Sequence, residues 1–337
     1  MLNRIEVDNF GPITELKWKK LDKINIIIGE NGSGKTFLLK AIYSALKTVE
    51  RHKRGHEIRN YGEILSEKLY WTFQVDKFRE LVQKGSVDPL SFSMWSGKRV
   101  FSYQFGRDTL KQINSIQNTF GTRQSNSIFL PAKEVLSLHQ VILKSRDHDQ
   151  SFGFDDTYLD LVRALSRPTT MGKNYREFAN SRLKLAQIIG GVITLDESTG
   201  TWLFLKGRHK FPIGVTAEGI KKISILDTLL GNRFLDANSI IFIDEPESAL
   251  HPTAISKLLD IIAILADRGI QFFIASHSYF VIKKLYLLAQ QKKWSIPMIS
   301  FTESGWKTSD LIDGLPENPI IIESIRLYKE EIGLSLQ

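Results

Sequence analysis

The chain has 337 residues, with 45 Lys and Arg against 37 Asp and Glu, a formal net charge of +8. Apolar residues make up 42%, enough to fill a core, which excludes wholesale disorder. The absence of cysteine excludes disulfide frameworks, thiolate zinc sites, iron–sulfur clusters and cysteine nucleophiles together.

The opening MLNRIEVDNF carries charges throughout and lacks the apolar stretch of a signal peptide. No run approaches 18 uncharged apolar residues, so a soluble, cytoplasmic chain without a membrane partner is expected. Residues 1–168 hold 26 Lys and Arg against 19 Asp and Glu, whereas residues 169–337 hold 19 against 18. That basic excess fits an anionic partner such as DNA or other nucleic acid, and equally a plain solubility charge.

The alternation Arg4-Ile5-Glu6-Val7 predicts a strand, followed by a turn at Asn9-Phe10-Gly11-Pro12 and a second strand to Trp18. Ile24 to Ile28 reads as a buried strand, Gly29 to Gly34 as a glycine-rich loop, and Phe37 to Leu46 as a helix. Residues 50–60 are polar and basic and are expected to leave the core. Lys68 to Val75, SFSMW (91–95) and RVFSYQF (99–105) predict an antiparallel hairpin region. Ser127 to Pro131 reads as a core strand, and 133–190 as mostly helical with a break near Arg167-Pro168. Short strands follow at Gly191–Leu195 and Thr201–Leu205, then a helix over Ala217–Leu230. From Ser239 onward strands (239–244, 271–275) alternate with helices (253–266, 277–290), which predicts a largely parallel sheet. In the tail, Ile320, Ile321, Ile322 and Ile325 predict a packed helix or an oligomer contact, with packing favoured.

Gly29-Glu30-Asn31-Gly32-Ser33-Gly34-Lys35-Thr36 fits the phosphate loop G-x-x-x-x-G-K-[ST] without deviation. The glycines let main-chain N–H groups cradle phosphates, Lys35 reaches the β and γ phosphates, and the Thr36 hydroxyl binds Mg²⁺. A second carboxylate-bearing strand is then required, and Ile240 to Ile243 followed by Asp244-Glu245 supplies it. Asp244 is the candidate Mg²⁺ residue and Glu245 the candidate for polarising the attacking water. Ala275-Ser276-His277-Ser278 follows another strand, so loops after Ile28, Ile243 and Ala275 can meet at one sheet edge. His277 is the candidate contact to the γ-phosphate or the water.

Taken together, the N-terminal Ile5 to Ile13 segment, the GENGSGKT loop, FIDEPESALHP (242–252) and IASHS (274–278) resemble the ABC-type ATPases of the RecF, SMC and OLD group. The resemblance covers roughly residues 1–45 and 211–285. It implies an α/β, P-loop NTPase head of the ABC type, with a mostly parallel core sheet, an N-terminal antiparallel β-subdomain and a helical insertion. One head is expected over 1–337: strands and phosphate loop at 1–48, β-subdomain and insertion at 49–210, the signature, carboxylate and histidine motifs at 211–290, and an extension at 291–337. His251 stands where transporter ATPases usually carry Asp, which argues against a transporter subunit.

Such ATPases hydrolyse ATP with Mg²⁺ and sandwich two ATP molecules between two protomers. The resemblance therefore implies nucleotide contacts from Asn31, Gly32, Ser33, Gly34, Lys35, Thr36 and Phe37, with Gly219 of the signature segment TAEGIKK (216–222) completing the partner's site. That segment departs from the usual Ser-Gly-Gly pattern, and Lys222 is carried over with it. The family's loop glutamine has three candidates, Gln74, Gln104 and Gln140, and Lys133 after Pro131-Ala132 faces the nucleotide or the insertion, or equally belongs to a plain strand end. Only 60 residues follow His277 in this sequence, so an appended nuclease is not expected within it. The resulting expectation is a homo-oligomeric ATPase, at least a dimer, that controls a separate effector protein in nucleic-acid-linked or phage-defence processes. A nucleotide-locked scaffold with slow hydrolysis is the alternative, and a transporter subunit the minor one.

Overall fold

The computed structural model describes residues 1–168, 178–196, 198–302 and 305–335. The N-terminal strands are β1 (Arg4–Phe10), β2 (Ile13–Trp18) and β3 (Ile24–Ile28), followed by helices α1 (Lys35–Arg51) and α2 (Tyr61–Phe73). Strands β4 (Leu90–Ser96), β5 (Arg99–Phe105), β6 (Ser115–Asn118) and β7 (Ser127–Leu130) come next. Helices α3 (His139–Asp147), α4 (Asp156–Leu165) and α5 (Ala179–Ile189) precede a small sheet of β8 (Val192–Asp196), β9 (Thr201–Lys206) and β10 (His209–Pro212). The remainder is α6 (Glu218–Gly231), β11 (Ile240–Asp244), α7 (Pro252–Asp267), β12 (Gln271–Ser276), α8 (Tyr279–Lys292), β13 (Pro297–Thr302), β14 (Gly305–Asp310) and α9 (Pro319–Ser335).

A six-stranded sheet in the order β14-β13-β3-β12-β11-β7 runs through the centre. All its neighbours are parallel except the edge strand β14. Every residue of β3, β11 and β12 is buried, the mark of strands covered on both faces. Alternate side chains serve two cores. Ile26, Ile28, Ile241, Ile243 and Phe272 pack with α4 to α8, whereas Ile27, Phe242 and Phe273 pack with α1 and the N-terminal sheet. In the second core, Phe242 stacks on Phe273 at 5.2 Å, and Tyr43 of α1 meets Phe129 and Phe242 edge-on at 5.7 Å. The N-terminal sheet, ordered β2-β1-β4-β5-β6, is antiparallel.

Several expectations need correction. Lys68 to Phe73 is helix rather than strand. Asn60 and Glu63 close a capping box at the start of α2, and Leu65, Lys68, Leu69 and Thr72 form its buried face. The aromatic residues that imitate a strand, Tyr70 and Trp71, sit half-buried on the other side. Helix α1 runs on to Arg51, past the expected Leu46, because its last turns are buried. Glu50, expected to leave the core, is 1% exposed and accepts bonds from the Ser127 N–H at 3.0 Å and its hydroxyl at 3.1 Å. Helix α9 departs from the packing expectation: Ile321 is buried, but Ile322, Ile325, Leu327 and Tyr328 are exposed. The expected helix break falls at Ser166, and the residues just after Pro168 lie outside the described residues. No helix among the described residues is long and apolar enough to cross a membrane.

Candidate active site

Strands β3, β12 and β11 lie side by side and end at one edge of the sheet. Ligands of open α/β sheets bind beyond such carboxyl ends. The phosphate loop leaves β3, Asp244 and Glu245 close β11, and His277 follows β12, so the three loops do meet.

Within the loop, Gly32 and Gly34 adopt φ of +82° and +89°, a region that glycine enters without a Cβ penalty. Gly34 precedes α1 without a side-chain cap, leaving the first-turn N–H groups of Lys35, Thr36 and Phe37 as uncapped donors. Asn31 and Gly32 are exposed, whereas Ser33 is buried with its hydroxyl unpartnered. The Lys35 ammonium curls back and donates to the carbonyls of Gly29 and Glu30, each at 2.8 Å. Burial lowers its pKa, against the opposing pull of Glu245, Asp244 and Glu247. The Phe37 ring turns away, packing edge-on against Phe10 at 5.0 Å and on Phe73 at 4.6 Å, so only its main chain is left to face a nucleotide.

Thr36 Oγ1 donates to Asp244, 2.9 Å from Oδ2 and 3.0 Å from Oδ1. Burial lifts the Asp244 pKa above the usual carboxylate value, the Thr36 bond restrains it, and Glu245 adds to the rise. A hydroxyl and a carboxylate in contact form a hard-oxygen donor set that fits Mg²⁺, which takes few protein ligands beside phosphate and water. Next in the chain, Glu245 Oε1 stands 3.3 Å from Nδ1 of His277. Glu247 braces the histidine loop, accepting from the Ser276 hydroxyl at 2.8 Å and the His277 N–H at 3.2 Å. His251 caps α7, its Nδ1 accepting from the Thr253 N–H at 3.3 Å.

Gly219 is not part of this cluster. It lies in the first turn of α6, where an added Cβ would stand 2.7 Å from Leu250 Cδ2 and 3.1 Å from the Ala249 carbonyl. Lys222, one turn on, bonds the Glu245 carbonyl of its own chain. Its pKa is pulled down to about 8 by burial, in spite of Glu247, Asp244 and Glu245 nearby. Of the glutamine candidates, Gln140 donates to the Gly200 carbonyl, Gln104 lies within β5, and Gln74 ends α2 with its buried Nε2 unpartnered. β7 is the strand beside β11, so the position flanking Asp244 belongs to Pro131-Ala132-Lys133-Glu134, which contains no glutamine; Lys133 there is exposed.

Glu247, Lys40 and Tyr158 also stand at the site, without a role among the sequence expectations. Lys40, one helical turn after Thr36, pairs with Asp155 at 2.7 Å. The Tyr158 pKa is raised to about 12 by burial, with Asp155 and Asp244 adding to the rise. A third acid three residues after Asp244 was the available signal for Glu247.

The family described as "AAA domain, putative AbiEii toxin, Type IV TA system" matches residues 101–283, more than half of the sequence. The chain belongs to this AAA family. A second model, "AAA ATPase domain", matches residues 1–93 of the ATPase. An "ATP/GTP phosphatase" of Helicobacter pylori is 22% identical over an alignment 362 positions long, covering 90% of this chain and 96% of that one. The DNA replication and repair protein RecF of Shewanella piezotolerans is 48% identical over 42 residues, 12% of each chain. Two solved SMC heads share the fold at 14% identity. One, bound to the C-winged helix domain of ScpA, has a TM-score of 0.52 and covers 92% of this chain and 97% of that one. The other, with an extended coiled coil and bound to the C-terminal domain of ScpA derived from Pyrococcus furiosus, has a TM-score of 0.53, covering 96% and 99%. The protein is thus an ATPase, and it shares with these SMC heads the mixed parallel and antiparallel fold of an ABC-type head.

Proposed function

We propose that the ATPase binds MgATP at the β3–β11–β12 edge, hydrolyses it with Glu245 as general base, and dimerises around the nucleotide. The observation that carries this reading is the joint geometry of Thr36 on Asp244 and of Glu245 on His277, at the ends of adjacent strands. The first-turn N–H groups of α1 and the Lys35 ammonium hold the phosphates. Thr36 and Asp244 hold Mg²⁺, which when bound neutralises phosphate charge. A water oxygen bonds to the γ-phosphorus as the bridging β–γ P–O bond breaks. Its proton passes to Glu245, which His277 orients, and ADP and phosphate leave.

Dimerisation rests on α6. Its N-terminus has no side-chain cap, and Val215 just before it is 75% exposed, so its free N–H donors can meet a partner's γ-phosphate. We further propose that the ATPase controls a separate effector, in phage defence or another nucleic-acid-linked process; the family's description, "putative AbiEii toxin, Type IV TA system", supports a role within a multi-component system. Contact with nucleic acid is supported only by the basic excess of residues 1–168. The test is Glu245→Gln, measured for ATP turnover and for solution mass with and without ATP. The variant should bind ATP, turn over at least a hundredfold slower and persist as a dimer. Turnover at the wild-type rate removes Glu245 as the base, and a monomeric mass under saturating ATP removes the dimer.

A further inference from the structure

Glu245 carries backbone strain at the candidate site. Its φ is +48°, in the left-handed region that costs a side-chain-bearing residue about 1 kcal/mol or more. It also precedes Pro246, and that position is pressed toward extended backbone by the proline ring. Such a conformation persists only where the surroundings over-determine it.

Three hydrogen bonds do so here. The Glu245 N–H donates to the Ala275 carbonyl at 2.9 Å, which ties the residue to β12. Its carbonyl accepts from the Ser248 N–H at 3.0 Å within its own turn. The same carbonyl accepts from the ammonium of Lys222, which comes from α6, far away in sequence. Lys222 is half-buried, and the negative charges of Glu247, Asp244 and Glu245 favour its charged form against burial. The neighbouring Lys221 is buried and fixes the same helical turn from the other side. It donates to Glu218 at 2.7 Å and Ser137 at 3.0 Å, and lies 3.7 Å from Glu134. The first turn of α6 is therefore fastened to the segment after β7 and to the turn that presents Glu245.

We propose that Lys222 is a positioning residue for hydrolysis: by holding the Glu245 carbonyl within its own chain, it keeps the left-handed turn that aims the Glu245 carboxylate at His277. Lys222 acts through Glu245 and touches neither nucleotide nor water. This rests on Glu245 being the base.

A double-substitution cycle on the full chain tests it, using Lys222→Met, Glu245→Gln and the pair. Each is measured for ATP Kd by equilibrium binding, steady-state kcat and KM, and single-turnover hydrolysis of labelled ATP. Lys222→Met should lower kcat at least tenfold while Kd and KM for ATP move less than threefold. Added to Glu245→Gln, it should change the residual single-turnover rate less than twofold, since residues acting as a unit are not additive. Lys222→Arg, which keeps a charged donor, should recover at least a third of the wild-type kcat. Wild-type kcat in Lys222→Met, a matching loss of ATP affinity (a nucleotide ligand), independent losses in the pair, or a Lys222→Met chain that does not fold (a structural lysine) each overturns the proposal. Wild-type turnover by Glu245→Gln instead removes the base assignment, whatever Lys222→Met shows.

Discussion

Replacing Lys68 by Met removes one cation from a deeply buried ion cluster. The Lys68 side chain is 3% exposed, 2.7 Å from Asp156 and 2.9 Å from Asp160. Breaking a buried pair by deleting one partner costs about 3–5 kcal/mol, because the other charge stays buried. The low end applies here: Asp156 keeps Arg146, and Asp160 keeps the Tyr43 hydroxyl at 2.7 Å. With a urea slope of about 3 kcal/mol/M, a loss of about 3 kcal/mol lowers the unfolding midpoint by about 1 M. The pH dependence is a second check. Burial pushes the Asp160 pKa up, but the charges of Lys68 and Lys47 outweigh it and hold the group at about 2, below its usual 3.8. A depressed carboxylate stabilises the fold above its unfolded value and loses that contribution as pH falls through its folded value. Without Lys68, burial acts with less opposition and Asp160 takes up its proton at higher pH. The gap between wild type and variant should therefore be widest at pH 7 and shrink toward pH 4. An unchanged midpoint at pH 7, or a gap that stays constant down to pH 4, refutes the reasoning.

Lys35→Ala should weaken ATP binding at least tenfold in an equilibrium titration, and unaltered affinity would remove the phosphate-loop assignment. Thr36→Ala deletes the hydroxyl that faces Asp244, so the Mg²⁺ concentration for half-maximal turnover should rise at least tenfold, with Thr36→Ser close to wild type. A Mg²⁺ curve indifferent to Thr36→Ala contradicts that pairing. Gly219→Val drives a branched side chain into Leu250 and the Ala249 carbonyl, an overpacking worth about 1–3 kcal/mol. Its urea midpoint should drop accordingly, and a wild-type midpoint would mean that α6 yields there at no cost.

What was legible in the sequence follows from what the physics writes locally. Ile24 to Ile28 and Ile240 to Ile243 are apolar without interruption because both sheet faces are covered, so the core strands could be read directly. The loop glycines are fixed by chemistry that demands close main-chain approach. Lys68 to Val75 was misread because aromatic residues favour strands, whereas the deciding signal, the Asn60–Glu63 capping box, lies eight residues upstream. Glu50 looked like a surface acid because its partner, Ser127, is 77 residues away. Lys222 was legible as part of a signature segment, but its bond to its own Glu245 depends on how α6 meets the turn after β11.

These contacts divide the helices into a stiff link and a soft one. On α1, Thr36, Lys40, Tyr43 and Lys47 follow one another at four, three and four residues, a single stripe of the helix. Thr36 meets Asp244, Lys40 pairs with Asp155 at the start of α4, and Tyr43 donates to Asp160. A continuous helix held at several points moves as one piece, so displacing α4 also displaces the turn that carries Thr36. The α6 link to Glu245 itself has a different character, a single side-chain bond from Lys222 to one strained carbonyl. Weakening it alters how Glu245 is aimed and leaves the phosphate loop in place. Substitutions along the α1 stripe, such as Lys40→Met, should therefore alter stability and ATP affinity together. Substitution at Lys222 should alter the hydrolysis rate alone. A Lys40→Met variant that lost only kcat would show that the stiffness belongs to the other helix.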